Sequence, residues 1–149
     1  MNYEDKQLLI TDLCGRAPYG VRVKIRSADI RTVRSVDIVG GIVHFIEPDT
    51  ISPFGLHIED PLSFRQKVKP YLRPMSSMTE EEKAELQKEH LKDEKLFIEC
   101  INKSKAGDNS MRGKVITHFA ADWCNKNHFD YRGLIDLNLA LPAPENMYK

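Results

Sequence analysis

The sequence predicts an α+β fold: a small antiparallel sheet in the N-terminal half, curving towards a partly closed barrel, with C-terminal helices packed on it. Three observations predict it. Residues 19–27 (YGVRVKIRS) and 30–39 (IRTVRSVDIV) alternate apolar and polar residues, and Gly40-Gly41 links the second run to IVHFI at 42–46. Period two is the signature of a half-buried strand, and a glycine pair between two such runs marks a hairpin. Further on, Thr79 followed by Glu82 forms a capping box, and residues 113–126 (GKVITHFAADWCNK) carry Ile116, Phe119, Ala120 and Trp123 at helical spacing. Strands first and helices afterwards define the class.

The elements follow in order. Residues 3–14 place Leu8, Leu9, Ile10 and Leu13 as the apolar side of a short helix, with Gly15 as its C-cap and Pro18 barring continuation. In the first strand Val21, Val23 and Ile25 take one face and Arg22, Lys24 and Arg26 the other. In the second, alternation puts Ile30, Thr32, Arg34, Val36 and Ile38 together, with Arg31, Val33, Ser35, Asp37 and Val39 opposite. The two glycines form a two-residue hairpin loop, both at positive φ, and the meander spans 19–46. Pro48, Pro53, Gly55 and Pro61 make 47–64 a loop with a short strand at 56–58. Residues 66–73 supply another strand, with Val68 and the Tyr71-Leu72 pair turned inward. Pro70 and Pro74 confine it to a sheet edge and make KPYLRP (69–74) a rigid connector from sheet to helices. A helix spans 80–104, charged at first and then striped by Leu96, Phe97, Cys100 and Ile101. Residues 130–140 form a short helix packing through Leu134, Ile135 and Leu137, and the tail PAPENMYK is extended. The expected core is Val21, Val23, Ile25, Val36, Ile38, Val43, Phe45, Phe97, Ile101, Ile116, Phe119 and a buried Trp123.

Composition narrows the function. The 149 residues suit one domain, 1–149, sheet-rich over 15–74 and helical over 79–140. Lys+Arg and Asp+Glu balance at 22 each, so any electrostatic role is local. The cysteines, Cys14, Cys100 and Cys124, are odd in number and widely spaced, which argues against a disulfide framework and suits a reducing cytoplasm. The N-terminus has no signal-peptide pattern, and no run approaches the roughly 18 apolar residues of a membrane span. No membrane partner is expected.

The most suggestive feature is cationic. From Gly15 to Ser35 the chain carries Arg16, Arg22, Lys24, Arg26, Arg31 and Arg34 against Asp29 alone. Cations spaced two apart on a sheet suit a phosphate backbone. They also suit the solvated face of any half-buried sheet, and Tyr19 is the one aromatic interleaved among them. KPYLRP adds Tyr71 and Arg73, residue types enriched at contact hot spots. The candidate binding residues are therefore Arg22, Lys24, Arg26, Arg31, Tyr71 and Arg73. His118, Asp122, Cys124 and His128 are metal-ligand types, but Cys124 points away from the His118/Asp122 helix face and His128 follows the helix end, so neither metal nor cofactor is expected. GxSxG, HExxH and glycine-rich phosphate motifs are absent, and no catalytic residue is assigned.

The segments DLCGRAPYGVRVKI, KPYLRPMSSMTEEE and NKNHFDYRGLI resemble a group of small uncharacterised proteins of gut Bacteroidetes and their prophages or mobile elements. The resemblance implies a bacterial or phage setting and carries no functional residue. The expectation is a non-enzymatic binding or adaptor module that contacts nucleic acid, or else an acidic protein, through its basic sheet face. A small enzyme with a site dispersed in sequence is the alternative, and an oligomeric structural component a third reading. Self-association would use the sheet edges or the Phe97 stripe.

Overall fold

A computed structural model of the chain describes residues 1–25, 29–46, 55–60, 65–89 and 118–148. The expected Leu96, Phe97, Cys100 and Ile101 stripe lies outside these residues, as do Arg26, Ile116 and the Phe119 side chain. Within them the fold is α+β. Helix α1 (Tyr3–Arg16) leads through a 3-10 turn (Ala17–Tyr19) into β1 (Arg22–Ile25), β2 (Asp29–Asp37), β3 (Ile42–Phe45), β4 (Gly55–His57) and β5 (Val68–Leu72). A second 3-10 turn (Met75–Ser77), α2 (Glu80–Glu89), α3 (His118–Lys126) and β6 (Leu141–Pro142) follow. The six strands form one sheet in the order β4-β3-β2-β1-β5-β6. It is open rather than barrel-like, because β4 and β6 occupy opposite edges. It is also mixed, because β6 runs parallel to β5 while the other neighbours are antiparallel.

Helix α1 starts where Asn2 Oδ1 accepts the Asp5 amide at 2.7 Å. It buries Leu9, Ile10 and Leu13 against Val21, Val23, Ile25, Val33, Val43 and Phe45 of the sheet. Gly15 does not cap it. The helix runs on to Arg16, and the left-handed glycine is Gly20, at φ 69°. Gly15 is instead a contact point with α3: a Cβ there would lie 2.8 Å from Asn125 Nδ2.

Strict alternation fails on β2. A bulge shifts the register between Val33 and Ser35, so Arg34 is the extra residue. Val33 and Val36, three positions apart, therefore both face the core, while Ile30 and Thr32 turn outward. Ile38 is 62% exposed, contrary to expectation, because β2 ends at Asp37. The Asp37 carboxylate accepts the Val39 and Gly40 amides at 3.0 and 3.1 Å and builds a four-residue loop over 38–41, in which Gly41 alone has positive φ, 61°.

The proline rule also fails on β5, which lies between β1 and β6 rather than at an edge. Arg22 directs its amide towards β5, so Val23 directs its own towards β2, and the Val23–Pro70 pair carries no hydrogen bond. The missing N–H of Pro70 faces the other side, one residue before β6 begins to pair at Tyr71. Beyond β5, the expected capping box is present. Thr79 N donates to Glu82 Oε2 (2.9 Å) and Glu82 N to Thr79 Oγ1 (3.2 Å). Arg73 closes on the same Glu82 at 2.7 and 3.0 Å and lies 4.1 Å over the Phe129 ring, tying the end of β5 to α2 and to the segment after α3. Burial pushes the Glu82 carboxyl up, but Arg73 and Thr79 outweigh it and hold it below its ordinary range.

A second core gathers Met75, Met78, Leu86, Ala120, Trp123, Cys124, Phe129 and Tyr131. Trp123 stacks on Phe129 at 5.6 Å. A buried ion pair on α1 joins this core to that helix. Arg16 grips Asp12 at 2.8 and 3.0 Å and donates to the carbonyls of Phe129 (2.7 Å) and Cys124 (3.4 Å). Residues 131–140 are turns, not a helix: the Asp130 carboxylate receives the Leu134 and Ile135 amides, and Gly133 and Asn138 adopt positive φ. The tail is not extended either. After β6 it turns back through Asn146, at φ 65°, to deliver Tyr148 to the sheet.

Candidate functional site

One face of the sheet carries α1 and the core; the other presents the cations. Register decides which ones meet. Residues directly opposite on antiparallel strands share a face. Lys24 lies opposite both Ile30 of β2 and Lys69 of β5. One step along, Arg22 lies opposite Thr32, and the same register sets it against Tyr71. The outer face therefore joins Arg22, Lys24, Lys69 and the half-buried Tyr71.

The sequence-predicted set divides accordingly. Arg22, Lys24 and Tyr71 come together. Arg31 is opposite Val23, on the core side, with its Nη2 3.2 Å from Asp29 Oδ2. Arg73 is held by Glu82 and Phe129. Arg26 lies outside the described residues. Lys69 was missed: it sits in a different segment from the β1 cations, and only the β1–β5 register, invisible in a single strand's pattern, sets it against Lys24.

Lys24 and Lys69, with Gln66, Lys67 and Leu141, line a shallow cavity of about 390 Å³. Its electrostatics are one-sided. Lys67 is paired with Asp60 at 3.1 Å. The Lys69 ammonium donates to the Asn138 carbonyl and side-chain oxygens, both at 2.8 Å, without meeting an anion there. Like charges directly opposite on a sheet are destabilising.

The backbone beneath this face is unusual. Arg22 N–H and Tyr71 C=O face each other across the ladder, yet the Tyr148 hydroxyl lies between them. It accepts the Arg22 amide at 3.0 Å and donates to the Tyr71 carbonyl at 2.7 Å. The Tyr148 ring stacks on the buried His128 ring at 3.8 Å. Burial pushes the Tyr148 phenol up to about 12, so it keeps the proton that it donates. Burial, helped by the Arg16 charge, pushes His128 down to about 4, so its ring is neutral at pH 7.

A second cavity, about 280 Å³, lies between the tail (Ala143–Tyr148) and Arg73, Ser77, Thr79 and Glu82. On its sheet-to-helix side the polar groups are engaged with one another: Arg73 with Glu82, Thr79 with Glu82, and Ser77 Oγ with the Pro74 carbonyl. Of the candidate metal ligands, Asp122, Cys124 and His128 lie apart, and the His118 side chain is outside the described residues. Asp122 accepts the Tyr19 hydroxyl at the surface, while Cys124 is buried and His128 stacks on Tyr148. No helix among the described residues is long and apolar enough to cross a membrane. Comparison of the chain with family models, curated proteins and solved structures finds no match.

Proposed function

We propose that this chain is a non-enzymatic binding module that engages nucleic acid through its outer sheet face, with Arg22, Lys24 and Lys69 meeting phosphates. One observation carries the reading: Lys24 and Lys69 stand directly opposite each other beside a concavity, with Arg22 on the same face. A phosphate placed between the two ammonium groups turns their repulsion into attraction, and the concavity gives it room. A balanced whole-chain charge does not oppose this, because Arg22, Lys24 and Lys69 share one face. The resemblance to proteins of gut Bacteroidetes and their mobile elements sets such a module in a bacterial or phage cell. Against a dispersed catalytic site stands the second cavity, where Arg73, Ser77, Thr79 and Glu82 are committed to ion pairing, capping and turn hydrogen bonds.

The test is fluorescence anisotropy with labelled DNA and RNA over a salt series, comparing the native chain with an Arg22/Lys24/Lys69→Ala variant. Each lost phosphate contact lowers the slope of log K against log salt by roughly 0.7–0.9, so the triple variant should lose about two units or more. Binding that ignores salt, or that survives unchanged in the variant, would reject the proposal.

A further inference from the structure

We infer that the outer face takes its nucleic acid as a single strand, with Tyr71 as the platform on which a base stacks. This rests on the reading just given and adds the form of the ligand. The register lays out a row across five consecutive strands: Ile46 (β3 end), Thr32, Arg22, Tyr71 and Leu141. Ile46 belongs to it because its amide donates to the Thr32 carbonyl at 3.0 Å, next to the Val33–Phe45 pair. At about 4.8 Å per strand, and more where the Tyr148 hydroxyl separates Arg22 from Tyr71, the row is at least about 19 Å long. A second row, Ile30-Lys24-Lys69, runs beside it.

Each row thus mixes cations with apolar or aromatic groups. Ile30 is 47% exposed and Ile46 54%, on a sheet face where alternation ordinarily places polar residues. A duplex would satisfy the cations alone. Its bases are stacked inside, out of reach of Tyr71, and its phosphates offer nothing to Ile30, Ile46 or Leu141. A single strand presents both kinds of group, phosphates for Arg22, Lys24 and Lys69 and unstacked base faces for Tyr71 and the aliphatic side chains. Tyr71 is placed for this. Its carbonyl, not its phenol, takes the Tyr148 hydroxyl, so the ladder does not depend on the Tyr71 side chain.

The experiment uses labelled oligothymidylate and oligouridylate of about 15 nucleotides, and a duplex of the same length, at low salt. The native chain should bind the single strands more tightly than the duplex. Tyr71→Ala and Tyr71→Leu should each weaken single-strand binding by about 5- to 150-fold and leave duplex binding nearly unchanged, while Tyr71→Phe retains the native affinity. Unfolding curves of the variants separate a folding defect from a binding one, and Tyr71→Leu keeps the site apolar if Tyr71→Ala is unstable. A duplex bound as tightly as the single strands, or a Tyr71→Leu variant equal to the native chain on them, overturns the inference. If salt-dependent binding then still disappears in Arg22/Lys24/Lys69→Ala, the nucleic-acid reading stands without it. Absence of binding to every probe removes both.

Discussion

Replacing Tyr148 with Phe removes one oxygen atom and, with it, a rung of the sheet. In an ordinary ladder Arg22 N–H would donate directly to Tyr71 C=O. Here both bonds run through the Tyr148 hydroxyl, at 3.0 and 2.7 Å. The phenyl ring left by Tyr148→Phe would still stack on His128, so the substitution isolates the hydroxyl. Two hydrogen bonds are lost at a net of about 0.5–1.5 kcal/mol each, giving roughly 1–3 kcal/mol. Because Arg22 is at the exposed end of the rung, water can take over part of its amide's bonding, which favours the lower half of that range. For a chain of this size each kcal/mol shifts the Tm by about 2–4 °C. Urea titration should therefore show a lower midpoint with an unchanged m-value, and hydrogen exchange should show faster exchange at the Arg22 amide. A loss below about 0.3 kcal/mol with unaltered Arg22 protection would refute the reasoning, because it would mean that the two strands pair without the hydroxyl.

Two further outcomes follow from the buried charges. Arg16→Met leaves Asp12 buried with the more distant Arg132 and strips the Cys124 and Phe129 carbonyls of their donor, so chemical denaturation should register a loss of about 3–5 kcal/mol. His128 titrates at about 4 in the folded chain, against about 6.5 unfolded, because burial first and then the Arg16 charge disfavour the imidazolium. Its contribution is intact above about pH 6.5 and is lost as pH falls towards 4, by no more than about 3 kcal/mol. His128→Asn, which tolerates the positive φ at this position, should flatten the stability profile across that window; a variant with the native profile would exclude His128 as its source.

The sequence reading succeeded where a signal is local. The capping box at Thr79 and Glu82, the alternation of β1 and the burial of Trp123 all depend on residues within one or two turns or a single strand. It failed where another segment decides the outcome. Gly15 has a cap's composition, but Asn125 of α3 explains it. Pro70 reads as an edge marker, yet the hydrogen-bond parity of β1 lets it sit inside the sheet. The bulge at Arg34 is one extra residue that alternation cannot reveal, and it decides that Ile30 rather than Val33 faces outward. The candidate site shows the same division. Arg22 and Lys24 were legible from one strand; Lys69 and the retirement of Arg31 and Arg73 required the pairing between strands.

The place of Pro70 bears on how the chain is made. Ribosomes deliver about 5–20 residues per second, so β5 emerges several seconds before the β6 residues that will cover it. Through that interval its free side is an open template for strands of other nascent chains. The proline withholds one of the donors such a chain would need, and it does so on the side left waiting. A residue that looks misplaced in the finished sheet is thus a guard for the unfinished one.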